Sequence, residues 1–268
     1  MKNALIIHGG PGQPYRELWP GLSPLEDEFR FNYYDQRGSG DSTRPVKGFE
    51  SNNYYDNVSK LDQALGISAQ IADIERIRQI LDEEKLVLIG HSFGGFLASL
   101  YTSEFPENVE ALVLIAPADM LVMTQENEGG FFEMVRQNLP DGLQNEYDQY
   151  IHECLNFQDI FSKTEADLVV LNEKFRKYYL TAVGDNSLPE KNGAEPGGWM
   201  VHAMYFSMGT RHDYRQVLKG VDEPVLGIHG TNDLQPEKTS RVYAELFPNA
   251  QFRTIENAGH FPFYTHPR

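Results

Sequence analysis

Three residues of this chain have the types and surroundings that nucleophilic catalysis requires, and the first of them is Ser92. It lies in Gly90-His91-Ser92-Phe93-Gly94, between an apolar run and a helical pattern. Small residues two positions before and two after a serine let the backbone turn sharply and project the hydroxyl away from a sheet. A serine hydroxyl is a weak nucleophile until a base removes its proton. The motif therefore predicts a nucleophilic serine with a histidine partner elsewhere in the chain.

His260 is the predicted base, and Asp233 is the predicted acid that orients it. Asp233 ends His229-Gly230-Thr231-Asn232-Asp233, and His260 follows Asn257-Ala258-Gly259, so each lies just after a short apolar run. When a serine occupies this kind of turn, its acid and its base follow it in that chain order. Asp119 also follows an apolar run and is the alternative acid.

Three other histidines lie close to these motifs, and we expect them to have structural roles. His91 is next to Ser92 but points elsewhere on the turn, and His229 ends an apolar run, where local hydrogen bonding is expected. His266 lies further along the chain than His260 and has no turn before it. His260 is therefore the preferred base.

The turn His8-Gly9-Gly10-Pro11-Gly12 supplies a further element of the predicted site. Glycines after a strand let backbone amides approach a substrate oxygen, so we expect the amides of Gly10 and Phe93 to form an oxyanion hole. A tight turn without a catalytic role is the alternative for this segment. No histidine or cysteine spacing predicts a metal site, and Cys154, the single cysteine, is expected to be a small buried residue.

The composition limits the partners and the compartment of the protein. Its 268 residues are 40% hydrophobic and 23% charged, which is ordinary for a globular protein. A formal net charge of −16 repels nucleic-acid phosphates and anionic membrane surfaces, so neither is an expected partner. The apolar runs are too short for a membrane span or a signal peptide, and one cysteine permits no intrachain disulfide. We therefore expect a cytoplasmic protein.

Short apolar runs alternate with helical patterns near both ends of the chain. This alternation is typical of an α/β fold, in which a mostly parallel sheet is flanked by crossover helices. The predicted strands are 4–7, 29–35, 86–89, 111–116, 225–229 and 251–255, and the predicted helices are 67–81, 93–105 and 237–246. Ser92, Asp233 and His260 each follow a predicted strand, so all three should reach the same edge of the sheet.

The alternation is lost for about a hundred residues in the middle of the chain. Residues 120–220 have helical and loop patterns, rich in Phe, Tyr and Met, and the strand pattern returns at Val225. We expect residues 1–119 and 221–268 to form an α/β core and residues 120–220 to form an inserted helical cap. A separate all-helical domain is the alternative, which the return of the strand pattern disfavours.

Taken together, these motifs resemble those of the proline iminopeptidase family of α/β-hydrolases. The resemblance rests on the serine, acid, base and glycine-turn motifs and on Asp35-Gln36-Arg37-Gly38-Ser39-Gly40-Asp41-Ser42. It covers the predicted core at both ends of the chain. It implies an α/β-hydrolase fold of eight-stranded ancestry, a helical cap over the site, no cofactor, and release of an N-terminal residue, often proline, from short peptides.

The chain departs from the family pattern in its sheet and in its cap. The resemblance implies two further strands ahead of the strand that leads into the glycine turn, and a helix after His260. The sequence predicts none of these elements, so the chain is trimmed or its sheet is smaller. The family's cap also carries glutamates that hold the substrate amine. At one of their positions this chain has His202, within His202-Ala203-Met204-Tyr205-Phe206. A buried ammonium needs a carboxylate, which Glu173, Glu195 or another acid of the cap would have to supply.

The sequence therefore predicts a serine hydrolase that cleaves an amide or ester bond in a small molecule or short peptide. A proline iminopeptidase-like activity needs a carboxylate pair in the cap. The alternative, a carboxylesterase or other small-molecule acyl hydrolase, needs only an apolar pocket. A binding module that keeps the fold without turnover is disfavoured by the complete set of Ser92, Asp233 and His260.

Overall fold

The strands of the computed structural model form one parallel sheet. The structure describes residues 1–14, 17–120, 130–184, 194–208 and 213–267. The strands are β1 (Lys2–Ile7), β2 (Phe29–Tyr33), β3 (Leu86–His91), β4 (Val109–Ile115), β5 (Val225–Gly230) and β6 (Ala250–Ile255). They lie in the order β2-β1-β3-β4-β5-β6, and every neighbouring pair is parallel. Their carboxyl ends therefore meet at one edge of the sheet, where ligands of such folds bind.

Helices connect these strands and fill the middle of the chain. They are α1 (Tyr54–Leu65), α2 (Ile67–Ile80), α3 (Phe93–Glu104), α4 (Phe131–Asn138), α5 (Asp141–Cys154), α6 (Glu165–Val183), α7 (Trp199–Met208), α8 (Arg215–Leu218), α9 (Glu237–Leu246) and α10 (Pro262–Thr265). The predicted α/β fold is confirmed, and each predicted strand and helix is present within a few residues of its predicted bounds.

Helix α1 is a long element of the α/β part that the sequence pattern did not predict. Its N-terminus is capped by Asn53, whose side chain accepts hydrogen bonds from the amides of Tyr55 and Asp56. Only Leu61 and Leu65 of its apolar residues are buried, so the apolar stripe is too sparse to stand out. The helix is stabilised instead by packing against α7.

The helices α4 to α8 lie between β4 and β5 in the chain, and we call them the inserted helices. β4 and β5 are neighbours in the sheet, with Leu112 opposite Val225, so the chain leaves the sheet and returns beside the strand that it left. Within the described part of this segment there are helices and loops but no strand. The bounds of 120 and 220 for the inserted cap stay a prediction.

The two faces of the sheet are buried by different elements. β3 is buried at every position, which fits a central strand covered on both faces. Along β1 the side chains alternate: Leu5 joins a large core with residues of α2 and α3, and Ile6 joins a smaller core on the other face. Trp19 and Phe263 cover that smaller core, with ring centroids 3.9 Å apart. The short helix α10, which follows His260, therefore helps to close the second face.

The sheet is smaller than the resemblance implies. It has six strands among the described residues, where the resemblance implies eight. The helix expected after His260 is present in a short form, because α10 spans only 4 residues. None of the helices in the described ranges is both long and apolar enough to cross a bilayer.

Candidate active site

Ser92 occupies a strained backbone position between β3 and α3. Its φ and ψ are 52° and −122°, a region that residues with a side chain rarely adopt. Gly90 and Gly94 make the turn possible, since a Cβ on Gly94 would overlap the carbonyl oxygen of Ile7 and one on Gly90 would overlap that of Gly94. The sequence prediction of a strand–turn–helix around this serine is confirmed.

Hydrogen bonds hold the backbone of Ser92 on both sides. Its amide donates to the carbonyl of Ile115 in β4 at 2.9 Å. Its carbonyl accepts from Gly95 and Phe96 in α3 and from Ala118 after β4, at 2.9, 3.2 and 2.9 Å. The serine is therefore fixed by the neighbouring strand as well as by its own helix.

The glycine turn lies directly against this serine. A Cβ on Gly9 would lie only 2.9 Å from the Cβ of Ser92, and Gly10 has a φ of +124° that favours glycine. His8 fixes the start of the turn, because its Nε2 accepts from the Gln36 amide at 3.0 Å and its carbonyl accepts from the Gln36 side chain at 2.6 Å. Burial lowers the pKa of His8 to about 4, so the ring is neutral at pH 7.

Two backbone amides in this region have the properties of an oxyanion hole. Among the described residues, neither the Gly10 amide nor the Phe93 amide has a hydrogen-bond acceptor. Phe93 is the first residue of α3, where an amide has no acceptor within its own helix and the helix dipole is positive. Gly10 lines the same cavity as Ser92. Both amides are thus free to bind a developing negative charge.

Asp233 and His260 form a buried pair at the carboxyl ends of β5 and β6. The His260 Nδ1 lies 2.8 Å from Asp233 Oδ2, and the side chains are 5% and 0% exposed. The other carboxylate oxygen accepts from the Gln235 amide at 2.8 Å. An ionised carboxylate only accepts hydrogen bonds, so the proton lies on Nδ1 and leaves Nε2 as the basic nitrogen.

A second histidine fixes the loop that carries His260. The His91 Nε2 donates to the backbone carbonyl of His260 at 2.8 Å. Burial holds the pKa of His91 well below its usual value, so the ring stays neutral. His91 therefore joins the serine turn to the base loop, a structural role more specific than the sequence indicated.

The alternative residues lie elsewhere. Asp119 is partly buried, which raises its pKa, and no described histidine hydrogen-bonds to it. His229 Nδ1 lies 2.9 Å from the Ser240 hydroxyl, and His266 Nδ1 lies 2.8 Å from that of Thr265. Of the candidate acids and bases, only Asp233 and His260 are paired with each other.

A cavity of about 680 Å³ opens over Ser92 and His260. Each of the inserted helices α4 to α7 contributes apolar or aromatic residues to its wall, among them Phe131, Tyr150, Phe175, Tyr179, Val201 and Tyr205. Phe131 stacks on the His260 ring, with centroids 5.2 Å apart and an interplanar angle of 28°. The stack was not predicted from the sequence, because no local pattern around Phe131 reports a contact with a residue so far along the chain.

The residues proposed to replace the family's cap glutamate are separated in the structure. Glu173 and His202 line the cavity, whereas Glu195 forms an ion pair with Arg44 at 3.2 Å. His202 is buried, its Nε2 lies 3.1 Å from the Cys154 carbonyl, and burial lowers its pKa. Of these two acids, Glu173 is therefore the one that lines the cavity.

Cys154 is less buried than predicted. It is partly exposed and lines the cavity, because it ends α5 at the cavity wall. Desolvation raises the pKa of its thiol to about 11, so the thiolate needed for nucleophilic attack is scarce at pH 7. No cluster of metal-binding side chains occurs among the described residues.

A parallel sheet with a serine at a strained strand–helix turn, and an acid and a base after later strands, defines the α/β-hydrolase fold. A family model described as "alpha/beta hydrolase fold" matches residues 5–267. The chain belongs to the α/β-hydrolase fold family, and it is a hydrolase with similarity to proline iminopeptidases.

Individual relatives agree with this family. The chain is 27% identical over 281 residues to a proline iminopeptidase of Lactobacillus delbrueckii subsp. bulgaricus, covering 97% of this chain and 83% of that protein. It is 23% identical over 274 residues to a proline iminopeptidase of Heyndrickxia coagulans, covering 98% and 85%. A solved thermophilic esterase from Thermogutta terrifontis superposes with a TM-score of 0.59 at 22% identity, covering 99% of this chain and 85% of the esterase.

Proposed function

We propose that the protein hydrolyses an amide or ester bond with Ser92 as nucleophile, His260 as base and Asp233 as the acid that orients the base. The observation that carries this proposal is the buried pair of Asp233 and His260, 2.8 Å apart, whose histidine lines the same cavity as Ser92. The carboxylate keeps the proton on Nδ1, so Nε2 is available to accept the serine proton.

Acyl transfer then proceeds in two halves. His260 takes the proton of Ser92 as the hydroxyl attacks the substrate carbonyl carbon, and the amides of Gly10 and Phe93 stabilise the oxyanion. His260 returns the proton to the leaving group, which leaves an acyl group on Ser92. A water molecule activated by His260 repeats the attack and releases the acid. The inserted helices would act as a cap, because Phe131 shields one face of His260 from water.

The finer proposal is release of an N-terminal residue from a short peptide. Two observations support it. The relatives from Lactobacillus and Heyndrickxia are named proline iminopeptidases, and Glu173 lines the cavity. A carboxylate at that wall would offset the desolvation of a substrate ammonium. His202 could not do so, because burial lowers its pKa and its ring is therefore neutral.

A carboxylesterase is the second candidate, because the cavity wall is largely apolar. Phe131, Phe175 and Tyr179 lie together next to His260, with centroid distances of 5.9 Å from Phe131 to Phe175 and 5.8 Å from Phe131 to Tyr179. Such a wall binds an apolar acyl group without any charged partner. The esterase from Thermogutta terrifontis shares the fold alone and does not decide between the two.

The test compares a prolyl arylamide with a short-chain aryl ester, using the unmutated protein and Ser92→Ala. Loss of the serine should reduce kcat/KM by about 10⁶-fold on whichever substrate reacts. Thermal unfolding of Ser92→Ala should match that of the unmutated protein, and Ser103→Ala, on the helix that follows Ser92, is the matched control.

Amide turnover that depends on Ser92 supports the peptidase, and Glu173→Gln should then raise KM for the amide much more than for the ester. Ester turnover alone supports the carboxylesterase. Hydrolysis that survives Ser92→Ala, or no hydrolysis of either substrate by the unmutated protein, contradicts the proposed mechanism.

A further inference from the structure

A buried ion pair outside the proposed catalytic groups joins the core to the inserted helices. Arg44 lies between β2 and α1, and its Nη1 is 2.5 Å from Oε1 of Glu165, the first residue of α6. Each side chain is only 10% exposed. Removing two charges from water is costly unless further hydrogen bonds satisfy both groups. The groups that bond to this pair therefore indicate what it holds in place.

Both charged groups bond to one stretch of backbone, residues 195–199, which we call the anchor segment. The Arg44 guanidinium donates to the first two carbonyl oxygens of the anchor segment at 3.1 Å. The Glu165 carboxylate accepts from its last two amides at 3.2 and 2.7 Å. The ion pair thus fixes the anchor segment at both of its ends.

The middle of the anchor segment is bonded to the glycine turn beside Ser92. The amide of Gly197 donates to the carbonyl of Gly12 at 2.8 Å, and the Asn172 side chain donates to the Gly197 carbonyl at 2.7 Å. A Cβ on Gly12 would lie 2.7 Å from the Met200 sulfur and 3.2 Å from Gly197. The turn and the anchor segment are therefore in direct backbone contact, and a movement of one must displace the other.

We propose that Arg44 and Glu165 are positioning residues, which fix the Gly10 amide of the oxyanion hole through the anchor segment. The inference rests on the proposed function, because only there does the Gly10 amide have a role. Oxyanion donors act where charge develops in the transition state, and a displacement of about 1 Å can cost roughly 100-fold in rate. We therefore expect the ion pair to contribute to stabilisation of the transition state more than to substrate binding.

The test is Glu165→Gln, assayed on the substrate that the unmutated protein turns over in a Ser92-dependent way. We expect kcat to fall about 10- to 100-fold, since one oxyanion donor is worth roughly that much or more, while KM changes little. An aryl boronic acid, which forms a tetrahedral adduct with an active serine, should lose affinity by a similar factor.

Two further variants separate positioning from folding. Asp148→Asn breaks an exposed ion pair with Arg136 within the inserted helices, whose side chains are 45% and 35% exposed, and should leave kcat and boronate affinity unchanged. The double variant Arg44→Met with Glu165→Met leaves no unpaired buried charge, so it should fold and still show the kcat defect. Thermal unfolding of each variant establishes that it is folded.

The outcomes distinguish this inference from the proposed function. If folded Glu165→Gln and the folded double variant match Asp148→Asn in kcat and boronate affinity, the positioning role is wrong even though Ser92 remains essential. If KM rises while kcat stays constant, the pair shapes the substrate site and not the oxyanion hole. If the reaction of the unmutated protein does not depend on Ser92, the proposed function fails and this inference fails with it.

Discussion

The carboxyl edge of the sheet and the inserted helices build the same cavity by different means. At the sheet edge, the backbone conformation determines the geometry of the cavity. Ser92 has a φ of 52°, and the surroundings of Gly9 and Gly94 have no room for a Cβ. In the inserted helices, side chains determine the shape of the cavity, because the rings of Phe131 on α4 and Tyr179 on α6 contact the His260 ring. We therefore expect the chemistry to depend on the sheet edge, where the backbone has little freedom, and substrate choice to depend on the inserted helices, where side chains can be exchanged.

After the loss of Ser92 itself, the largest expected effect comes from the proposed acid at the sheet edge. Asp233→Asn should reduce kcat/KM by about 10⁴-fold, because an amide in that position favours the wrong tautomer of His260. Asp119→Asn, the alternative acid, should leave kcat/KM close to that of the unmutated protein. Steady-state kinetics on both variants provides the measurement. Equal losses in the two variants, or a loss confined to Asp119→Asn, would remove Asp233 from the mechanism.

The burial of His8 at the sheet edge predicts a pH dependence of the free energy of unfolding. The pKa of His8 is lowered from 6.5 to about 4 by burial, so the unfolded chain binds this proton at a higher pH than the folded protein does. The free energy of unfolding should therefore fall by about 3 kcal/mol between pH 6.5 and pH 4 on account of His8 alone. That stability is fully present above pH 6.5.

Urea unfolding between pH 7 and pH 4 measures this contribution. His8→Gln should flatten the decline, although His91, His202 and His229, whose pKa values are also lowered by burial, keep part of it. His152→Gln is the matched control, because His152 is exposed on α5. An unchanged slope in His8→Gln would show that His8 is charged or hydrated in the folded protein.

A smaller effect is expected from one added methyl group. Gly9→Ala places a Cβ about 2.9 Å from the Ser92 Cβ, so either the turn or the serine must move. A displacement of this kind should cost about 100-fold in kcat/KM. Gly48→Ala, where the added Cβ meets no neighbouring atom, is the control. Full activity in Gly9→Ala would mean that the backbone of the sheet edge adapts more easily than its packing indicates.

The smallest effect tests the inserted helices. Phe131→Ala removes the ring stacked on His260 and should lower kcat/KM by up to about 10-fold, since such aromatic contacts contribute roughly 0.5–1.5 kcal/mol. Tyr55→Ala, an exposed aromatic residue on α1, is the control. Measurement with a small and a large acyl group should show the loss mainly for the larger substrate. A loss as large as that of Asp233→Asn would abolish the contrast between the two regions.

The sheet edge was largely predictable from the sequence because its geometry depends on local backbone rules. Gly90, Gly94 and the strand before Ser92 identify the turn, and the positions of Asp233 and His260 after later strands follow from parallel pairing. The catalytic roles of these residues stay predictions until they are tested. Asp233 and His260 are paired, and His260 lines one cavity with Ser92, as their positions after the strands led us to expect.

The inserted helices were predictable only as helices. The stack of Phe131 on His260, and the ion pair of Arg44 with Glu165, join residues more than a hundred positions apart in the chain. No periodicity records such contacts, since each depends on how separate elements pack together. Helix α1 was missed for the same reason, because its stability comes from packing against α7 and not from its own pattern.

The hydrogen bond from His91 to the His260 carbonyl has a consequence for folding. It joins positions 169 residues apart, so the candidate site exists only after distant parts of the chain have met. Closing so long a loop carries an entropy cost that local helices never meet, and long-range contacts slow folding. The inserted helices belong to that loop and can form without closing it. Hydrolytic turnover is therefore a late signal in refolding, one that reports the completed sheet and not the first helices to appear.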